Sequence, residues 1–231
     1  MAEDGGRNYS RIIEKAASLT LLTFITRLPE QQPAEFFTWY EERHAPDFLA
    51  FAAPYLARYC RNFVVGARSD PGFDVITEFA YRSEADQAKV MKLLSEPASD
   101  ALRRGPRGAS KSVSVSVDES VIAGPARGHD KVPTAKKAVL LQRPPGVTSA
   151  AFAAAARDYA AALASSLGGD AVRIVLDLAR PDGAGAPLHD AMVVIWPKAG
   201  TLEAAFAAAT AAPITVANVL DLATYDAPLG G

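Results

Sequence analysis

The sequence predicts an α+β fold in which two βαββαβ repeats pack sheet to sheet, and three observations lead to this prediction. Strand-like and helix-like segments follow one another in the same order in residues 18–120 and in residues 136–231. Phe73-Asp74 precedes an apolar strand in the first part, as His189-Asp190 does in the second. Hydrophobic residues make up 49% of the 231-residue chain, enough for a core that both repeats share.

The first repeat opens with a strand and an aromatic helix. β-Branched and aromatic residues alternate over residues 19–27, as expected for a strand. Pro33 suits the first turn of a helix, in which aromatic residues then recur at three- to four-residue spacing. Because proline disfavours helical geometry in the residue before it, Pro46 predicts that this helix ends or kinks near His44.

A hairpin and a second helix follow. Strand-like runs at 59–67 and 74–81 flank the turn signal Asp70-Pro71-Gly72. Ser83 suits the N-cap of a helix over residues 83–94. The first repeat therefore has the order strand, helix, strand, strand, helix before its last strand.

The last strand of the first repeat alternates strictly between valine and serine over residues 112–118. One of its faces is all valine, and the other carries the serines. If the valines pack against the helices, the serine face points away from the helices and its small side chains leave room for a ligand. This cavity hypothesis makes Ser114 and Ser116 candidate substrate-binding residues.

The sequence predicts a second repeat at residues 136–231 after a glycine- and proline-containing linker at residues 121–135, and a flexible N-terminal tail at residues 1–17. The two repeats of one chain then form a pseudo-dimer, and two whole chains could in addition form a homodimer. The alternative is two independent domains on a string. The predicted elements are a strand at 138–143, a helix at 149–167, strands at 171–179 and 191–196, a helix at 202–211 and a strand at 215–225.

The bulk composition excludes several classes of function. Twenty-four basic and 26 acidic side chains give a net charge of −2, without the basic excess that nucleic-acid binding needs. The single cysteine, Cys60, excludes an internal disulfide. The N-terminus is acidic and polar, unlike a secretory signal, and the alanine-rich stretch at 150–167 is a poor membrane span. We expect a cytoplasmic protein without nucleic-acid or membrane partners.

Short motifs in the first repeat share a pattern of an aromatic helix, a histidine before proline, and paired residues on later strands. They are Phe36-Phe37-Thr38-Trp39-Tyr40, His44-Ala45-Pro46, Arg58-Tyr59, Phe73-Asp74 and Glu78-Phe79. Together they resemble the EthD-type domain of the dimeric α+β barrel (ferredoxin-like) superfamily. The resemblance covers residues 19–120 and implies a barrel with a hydrophobic pocket between sheet and helix. Members of this superfamily include small-molecule enzymes of polyketide tailoring and of organic-compound degradation, so the resemblance implies an enzyme of this kind.

His44 is the leading catalytic candidate, and the resemblance carries over only this residue as a family position. Imidazole titrates near neutrality, so it can act as acid or base. Glu41 lies close enough on the helix to hold the ring, and Tyr40 offers a second hydroxyl. The alternative is a structural histidine that caps the helix or is hydrogen-bonded in the core. The second repeat has Tyr159 or Ala160 at the corresponding place, which suggests a degenerate, scaffolding half without a site.

Further candidates come from the strands and the aromatic helix. Asp74 and Glu78 share one face of a strand, which would allow Glu78 to relay protons to His44. The alternative is a hairpin-end aspartate and an exposed or edge glutamate. The catalytic candidates are thus His44, Glu78 and Tyr40, and the substrate-binding candidates are Phe36, Phe37, Trp39, Tyr59, Asn62, Asp74, Ser114 and Ser116.

No nucleotide-binding, serine-nucleophile or metal-ligand spacing is present in the sequence. We therefore predict a cofactor-independent enzyme that acts on a hydrophobic aromatic or polyketide-like molecule. The compatible reactions are dehydration, cyclisation, isomerisation, decarboxylation and cofactor-free oxidation. Haem is the alternative cofactor, with His44 as axial ligand, because some members of the superfamily bind it. The rival hypothesis is a binding or scaffolding protein that does not change its ligand.

Overall fold

The computed structural model describes residues 19–96, 109–125, 134–180, 187–198 and 213–226. Within these residues, eight antiparallel strands form a closed barrel. The strands are β1 (Leu19–Thr26), β2 (Leu56–Ala67), β3 (Val75–Tyr81), β4 (Lys111–Ala123), β5 (Thr134–Gln142), β6 (Ala171–Ala179), β7 (Ala191–Pro197) and β8 (Thr215–Asp226).

The helices of the described residues lie outside the barrel. They are α1 (Pro33–Trp39), α2 (Ala45–Ala52), α3 (Glu84–Ser95) and α4 (Ser149–Leu167). A π-helical turn at Tyr40–His44 joins α1 to α2, and 3-10 turns at Ala53–Tyr55 and Gly168–Asp170 lead into β2 and β6. The predicted tail at 1–17 and the predicted helix at 202–211 lie outside the described residues. Among the helices that the structure describes, none is both long and apolar enough to cross a membrane.

The strand order around the barrel is β1-β3-β2-β8-β5-β7-β6-β4, with β4 pairing back onto β1. Residues 19–123 contribute the adjacent strands β4-β1-β3-β2, and residues 134–226 contribute β8-β5-β7-β6. The prediction of two ferredoxin-like βαββαβ repeats packed sheet to sheet is therefore wrong. The edge strands instead pair with each other, β2 with β8 and β4 with β6, into one continuous sheet. This closure satisfies backbone groups that two stacked sheets would leave unpaired at four edges.

The barrel interior has an apolar part and a charged part. Leu22, Leu140 and Val194 belong to a buried cluster drawn from strands of both halves. Elsewhere in the interior, a guanidinium nitrogen of Arg58 lies 2.5 Å from a carboxylate oxygen of Glu119, and both side chains are buried. A filled interior leaves the outer surface of the barrel, beneath the helices, as the place for a cavity.

Candidate functional site

A cavity of about 540 Å³ lies between the outer face of β1, β3 and β4 and the helices α1, α2 and α3. Its size is within the range of small-molecule sites. The lining is mostly aromatic and aliphatic, and none of its described members carries a charged side chain at neutral pH. The lining residues are Leu21, Thr23, Ile25, Trp39, Tyr40, His44, Phe48, Phe79, Tyr81, Gln87, Met91, Leu94, Ala109, Ser112 and Ser114.

The π turn shapes the helical wall of this cavity. The helix does not end at His44 but continues as α2 to Ala52, with Ala45 in helical geometry although Pro46 follows it. The Ala45 N–H donates to the Tyr40 carbonyl, an i→i+5 bond that widens the turn. The signal from Pro46 thus coincides with a change of helical geometry rather than with a helix end. π turns of this kind are frequent at functional sites.

The widened turn brings Trp39 and His44 to the same face of the helix. In a regular α-helix, residues five apart point about 140° away from each other. Here the ring centroids of Trp39 and His44 are 5.2 Å apart, and those of Tyr40 and His44 are 4.7 Å apart. The imidazole therefore stands against two aromatic rings in the cavity wall.

His44 is held in its neutral form. Burial lowers the pKa of His44 to about 4, against a smaller opposing effect of the nearby Asp47 carboxylate. Its Nδ1 atom is buried without a hydrogen-bond partner. At neutral pH the ring is thus able to accept a proton but carries no extra proton to donate as an acid.

The predicted partner of the imidazole, Glu41, is engaged elsewhere. Its two carboxylate oxygens accept hydrogen bonds from Nε and Nη2 of Arg61, at 2.6 and 2.7 Å. This bidentate ion pair fixes the π turn to β2. Glu41 therefore anchors the helix and does not orient His44.

Tyr40 is anchored to the sheet as well. Its hydroxyl lies 2.7 Å from Oγ1 of Thr77, and burial raises the pKa of Tyr40 to about 12. Tyr59, also predicted for the site, stacks beneath Phe48 with ring centroids 5.2 Å apart, and burial raises its pKa well above the ordinary value. Tyr40 lines the cavity with its ring, whereas Tyr59 supports the wall from behind.

Two strands supply the hydroxyl groups of the cavity floor. Thr23 on β1 is the register partner of Ser114 on β4, and their hydroxyl oxygens are 2.9 Å apart. The valines of β4 face the barrel interior, where Val115 and Val117 are buried, so the serines face the helices. Ser114 lines the cavity, while Ser116 does not. The strict alternation located this strand face, but the choice of side required the closed barrel.

Glu78, Asn62 and Asp74 are not brought together with His44. Glu78 is fully buried in the barrel interior, where its Oε1 accepts a hydrogen bond of 2.8 Å from Asn62. Its neighbours on β3, Thr77 and Phe79, face the helices instead. Asp74 forms an ion pair with Arg27 at the hairpin end. These contacts place all three predicted residues outside the cavity.

Of the predicted aromatic residues, Trp39 lines the cavity and two others pack beside it. Phe36 is buried against Tyr40, with ring centroids 5.6 Å apart. Phe37 packs against Phe63 and Tyr225. Several residues that the structure places in the lining were not assigned to the site from the sequence, although most of them lie within predicted helices and strands. They are Leu21, Thr23, Ile25, Phe48, Phe79, Tyr81, Gln87, Met91, Leu94, Ala109 and Ser112.

The described lining does not fit haem. An axial histidine is normally held by a partner on its second ring nitrogen, and Nδ1 of His44 has none. Haem also carries two anionic propionates, and no lysine or arginine is among the described lining residues. Within the described part of the chain, no group of three or more histidine, cysteine, aspartate or glutamate side chains is arranged to hold a metal ion.

No protein-family model matches the chain, and no curated protein matches its sequence. Solved structures do match its fold. An anthrone oxidase-like protein is 11% identical, with a TM-score of 0.54, covering 94% of this chain and 96% of its own. A candidate monooxygenase from Fusobacterium nucleatum subsp. nucleatum is 10% identical, with a TM-score of 0.51 and coverages of 93% and 95%. A chlorite dismutase variant from Candidatus Nitrospira defluvii, in complex with cyanide, is 10% identical, with a TM-score of 0.51 and coverages of 92% and 91%.

At such low identity the likeness shows the fold alone. The EthD type and the tandem repeat stay predictions.

Proposed function

We propose that this protein is a small-molecule enzyme that binds a flat, neutral, largely apolar molecule and removes a proton from it with His44. The observation that carries the proposal is a neutral imidazole, with a pKa of about 4, in the wall of a cavity without charged described lining residues. The imidazole is present as the free base at neutral pH, so it can accept a proton from an activated C–H or O–H group of a bound substrate. Nε2 is the ring nitrogen proposed to meet the substrate, since Nδ1 is enclosed.

Cofactor-free oxidation is the reaction that we favour among those compatible with the sequence. The names of the structural neighbours, anthrone oxidase-like protein and candidate monooxygenase, support oxidation of small molecules. Deprotonation gives an electron-rich carbanion that dioxygen can oxidise directly. With anthrone as substrate, one dioxygen is consumed and anthraquinone is formed. One oxygen atom becomes the new carbonyl oxygen on the CH2 carbon, and the other leaves as water with the two hydrogens of that carbon. No comparable support exists for the lyase and isomerase reactions.

The test is oxygen consumption by the purified protein with anthrone as the probe substrate. We expect the His44→Gln variant, which keeps a similar volume but lacks the base, to lose at least a hundredfold in turnover number. The matched control is His189→Gln, since His189 lies outside the cavity lining. Equal turnover by the wild type and a folded His44→Gln variant would remove the proposed base.

A binding protein without catalysis is the second candidate, and one contact favours it. A catalytic histidine is usually oriented by a second group, and the nearest predicted partner, Glu41, is bound to Arg61. Tight binding of anthrone without oxygen consumption above the buffer rate would favour this second function.

A further inference from the structure

The hydroxyl pair in the cavity floor has hydrogen-bonding capacity left for a ligand. Oγ1 of Thr23 and Oγ of Ser114 are 2.9 Å apart, and either can be the donor. One hydroxyl donates to the other in this bond, so the second hydroxyl still has a proton to donate to a ligand. Neither hydroxyl has another hydrogen bond within the part of the chain that the structure describes.

The position of the pair decides what it can bind. Thr23 and Ser114 lie on the sheet, while His44 lies on the helical wall of the same cavity. A molecule between them can meet the imidazole on one side and the hydroxyl pair on the other. The Tyr40 hydroxyl, in contrast, lies within hydrogen-bond distance of Thr77 and so already has a partner on the sheet. In an apolar lining, an oxygen atom of a ligand is favoured next to a donor that keeps its proton.

We infer that the Thr23–Ser114 pair binds a carbonyl oxygen of the substrate and stabilises the negative charge that develops there. This inference rests on the proposed function of His44. When the imidazole takes a proton from a carbon conjugated to the carbonyl, the C–H electron pair forms a new C=C bond. The electrons of the C=O double bond then move onto the oxygen, which accepts the hydrogen bond from the pair. Donors aimed at a developing oxyanion commonly contribute about a hundredfold or more to turnover.

A cavity with this hydroxyl pair should prefer neutral fused-ring ketones to the corresponding hydrocarbons. Anthrone and dihydroanthracene are matched probes, because they share a three-ring frame and differ in the carbonyl oxygen. Without oxygen in the solution neither is oxidised, so binding alone is measured by the fluorescence of the chain, which has two tryptophans including Trp39 in the cavity wall. We expect the wild type to bind anthrone about tenfold more tightly than dihydroanthracene.

The double variant Thr23→Val, Ser114→Ala keeps the shape of the floor and removes both hydroxyls. We expect it to bind both probes with the affinity that the wild type shows for dihydroanthracene, and to lose about a hundredfold in turnover number with anthrone in air. The single variant Thr23→Ser keeps a hydroxyl on β1 beside Ser114, so it should keep the preference for anthrone. Ser116→Ala, on the same face of β4 but outside the cavity lining, should leave it unchanged.

The outcomes separate this inference from the proposed function. If the double variant keeps the tenfold preference, or the wild type has none, the role of the hydroxyl pair is wrong even where His44→Gln abolishes turnover. If the preference is lost as expected while His44→Gln retains full turnover, the pair binds the oxygen but the proposed base is wrong. If neither probe binds to the wild type, both proposals fail.

Discussion

The two helical coverings of the barrel differ in how closely they pack. On one side, α4 is a regular helix of 19 residues whose buried face includes Ala156 and Ala160 beside Leu163. These residues join one large cluster with the strands beneath. On the other side, α1 and α2 carry large aromatic residues and are interrupted by the π turn, and the cavity lies between them and the sheet.

Small side chains allow a helix to approach a sheet closely, whereas aromatic side chains hold it away. At the place that corresponds to His44 by sequence offset, the second half has Tyr159 or Ala160, and both are buried in the cluster under α4. That place is filled by packed side chains. The comparison indicates that the cavity depends on the side chains and the irregularity of one helix, and not on the barrel itself.

The largest expected effect is on the tightly packed side. Leu163→Ala removes a fully buried side chain and should lower the free energy of unfolding by about 2–5 kcal/mol. Leu94→Ala is the corresponding change on the cavity side and should cost about 1 kcal/mol, because this side chain is only half-buried and already borders the cavity. Urea denaturation measures both. Similar losses in the two variants would contradict the difference in packing.

The second effect is a pH dependence that comes from His44. Its pKa is about 4 in the folded protein and rises to the ordinary 6.5 on unfolding. The unfolded chain therefore binds more protons between these values, and stability falls as the pH is lowered from 6.5 to 4. We expect His44→Gln to flatten this fall by about 1–3 kcal/mol at pH 4. Denaturation at a series of pH values tests this, and a parallel pH profile in the variant would argue against a buried neutral imidazole.

The third effect is on ligand binding. Ser114→Phe places a ring in the cavity floor and should weaken the binding of anthrone by more than about tenfold, equivalent to about 1.4 kcal/mol. Lys111→Phe adds the same ring to an exposed position on β4 outside the lining and should leave the affinity unchanged. Fluorescence titration distinguishes them. Equal affinities in the two variants would place the ligand elsewhere.

The smallest effect concerns the attachment of the π turn. Arg61→Lys cannot keep both hydrogen bonds to Glu41 and should cost about 1 kcal/mol of stability. It should also shift the NMR signals of the His44 ring. The control is Arg143→Lys in the second half, where the ion pair with Asp190 is 3.6 Å long and partly exposed. An unchanged His44 spectrum in the Arg61 variant would show that the ion pair does not hold the turn.

The sequence predicted the local elements well because hydrophobic periodicity and turn residues are local signals. The observed helix α4, Ser149–Leu167, has the predicted bounds. The predicted stacking of two sheets was wrong, because the edge strands β2 and β8, and likewise β4 and β6, pair with each other although they are far apart in the chain. No local pattern distinguishes a sheet that stacks on another from one that joins it at the edges.

The candidate site shows the same limit. His44, Tyr40, Trp39 and Ser114 were candidates from sequence and all line the cavity. Glu78 was grouped with them because alternation tells which residues share a face of a strand but not which face is inside a barrel. The π turn was not predicted either. The ion pair between Glu41 and Arg61, which attaches it to β2, joins residues 20 apart in the chain and leaves no local signal.

The π turn also determines which change of length this segment can accept. Buried positions along the helix fall at Phe36, Tyr40, Ala45, Phe48 and Ala52, so one interval is five residues where the others are three or four. Deleting one exposed residue inside that interval would make every interval three or four residues, which is the spacing of one face of an ordinary α-helix. Phe48 and Ala52 would then keep their places on the sheet. Related sequences should therefore exchange side chains at Glu42 and Arg43 freely, and a one-residue deletion between Tyr40 and Ala45 should leave the buried face of the helix intact.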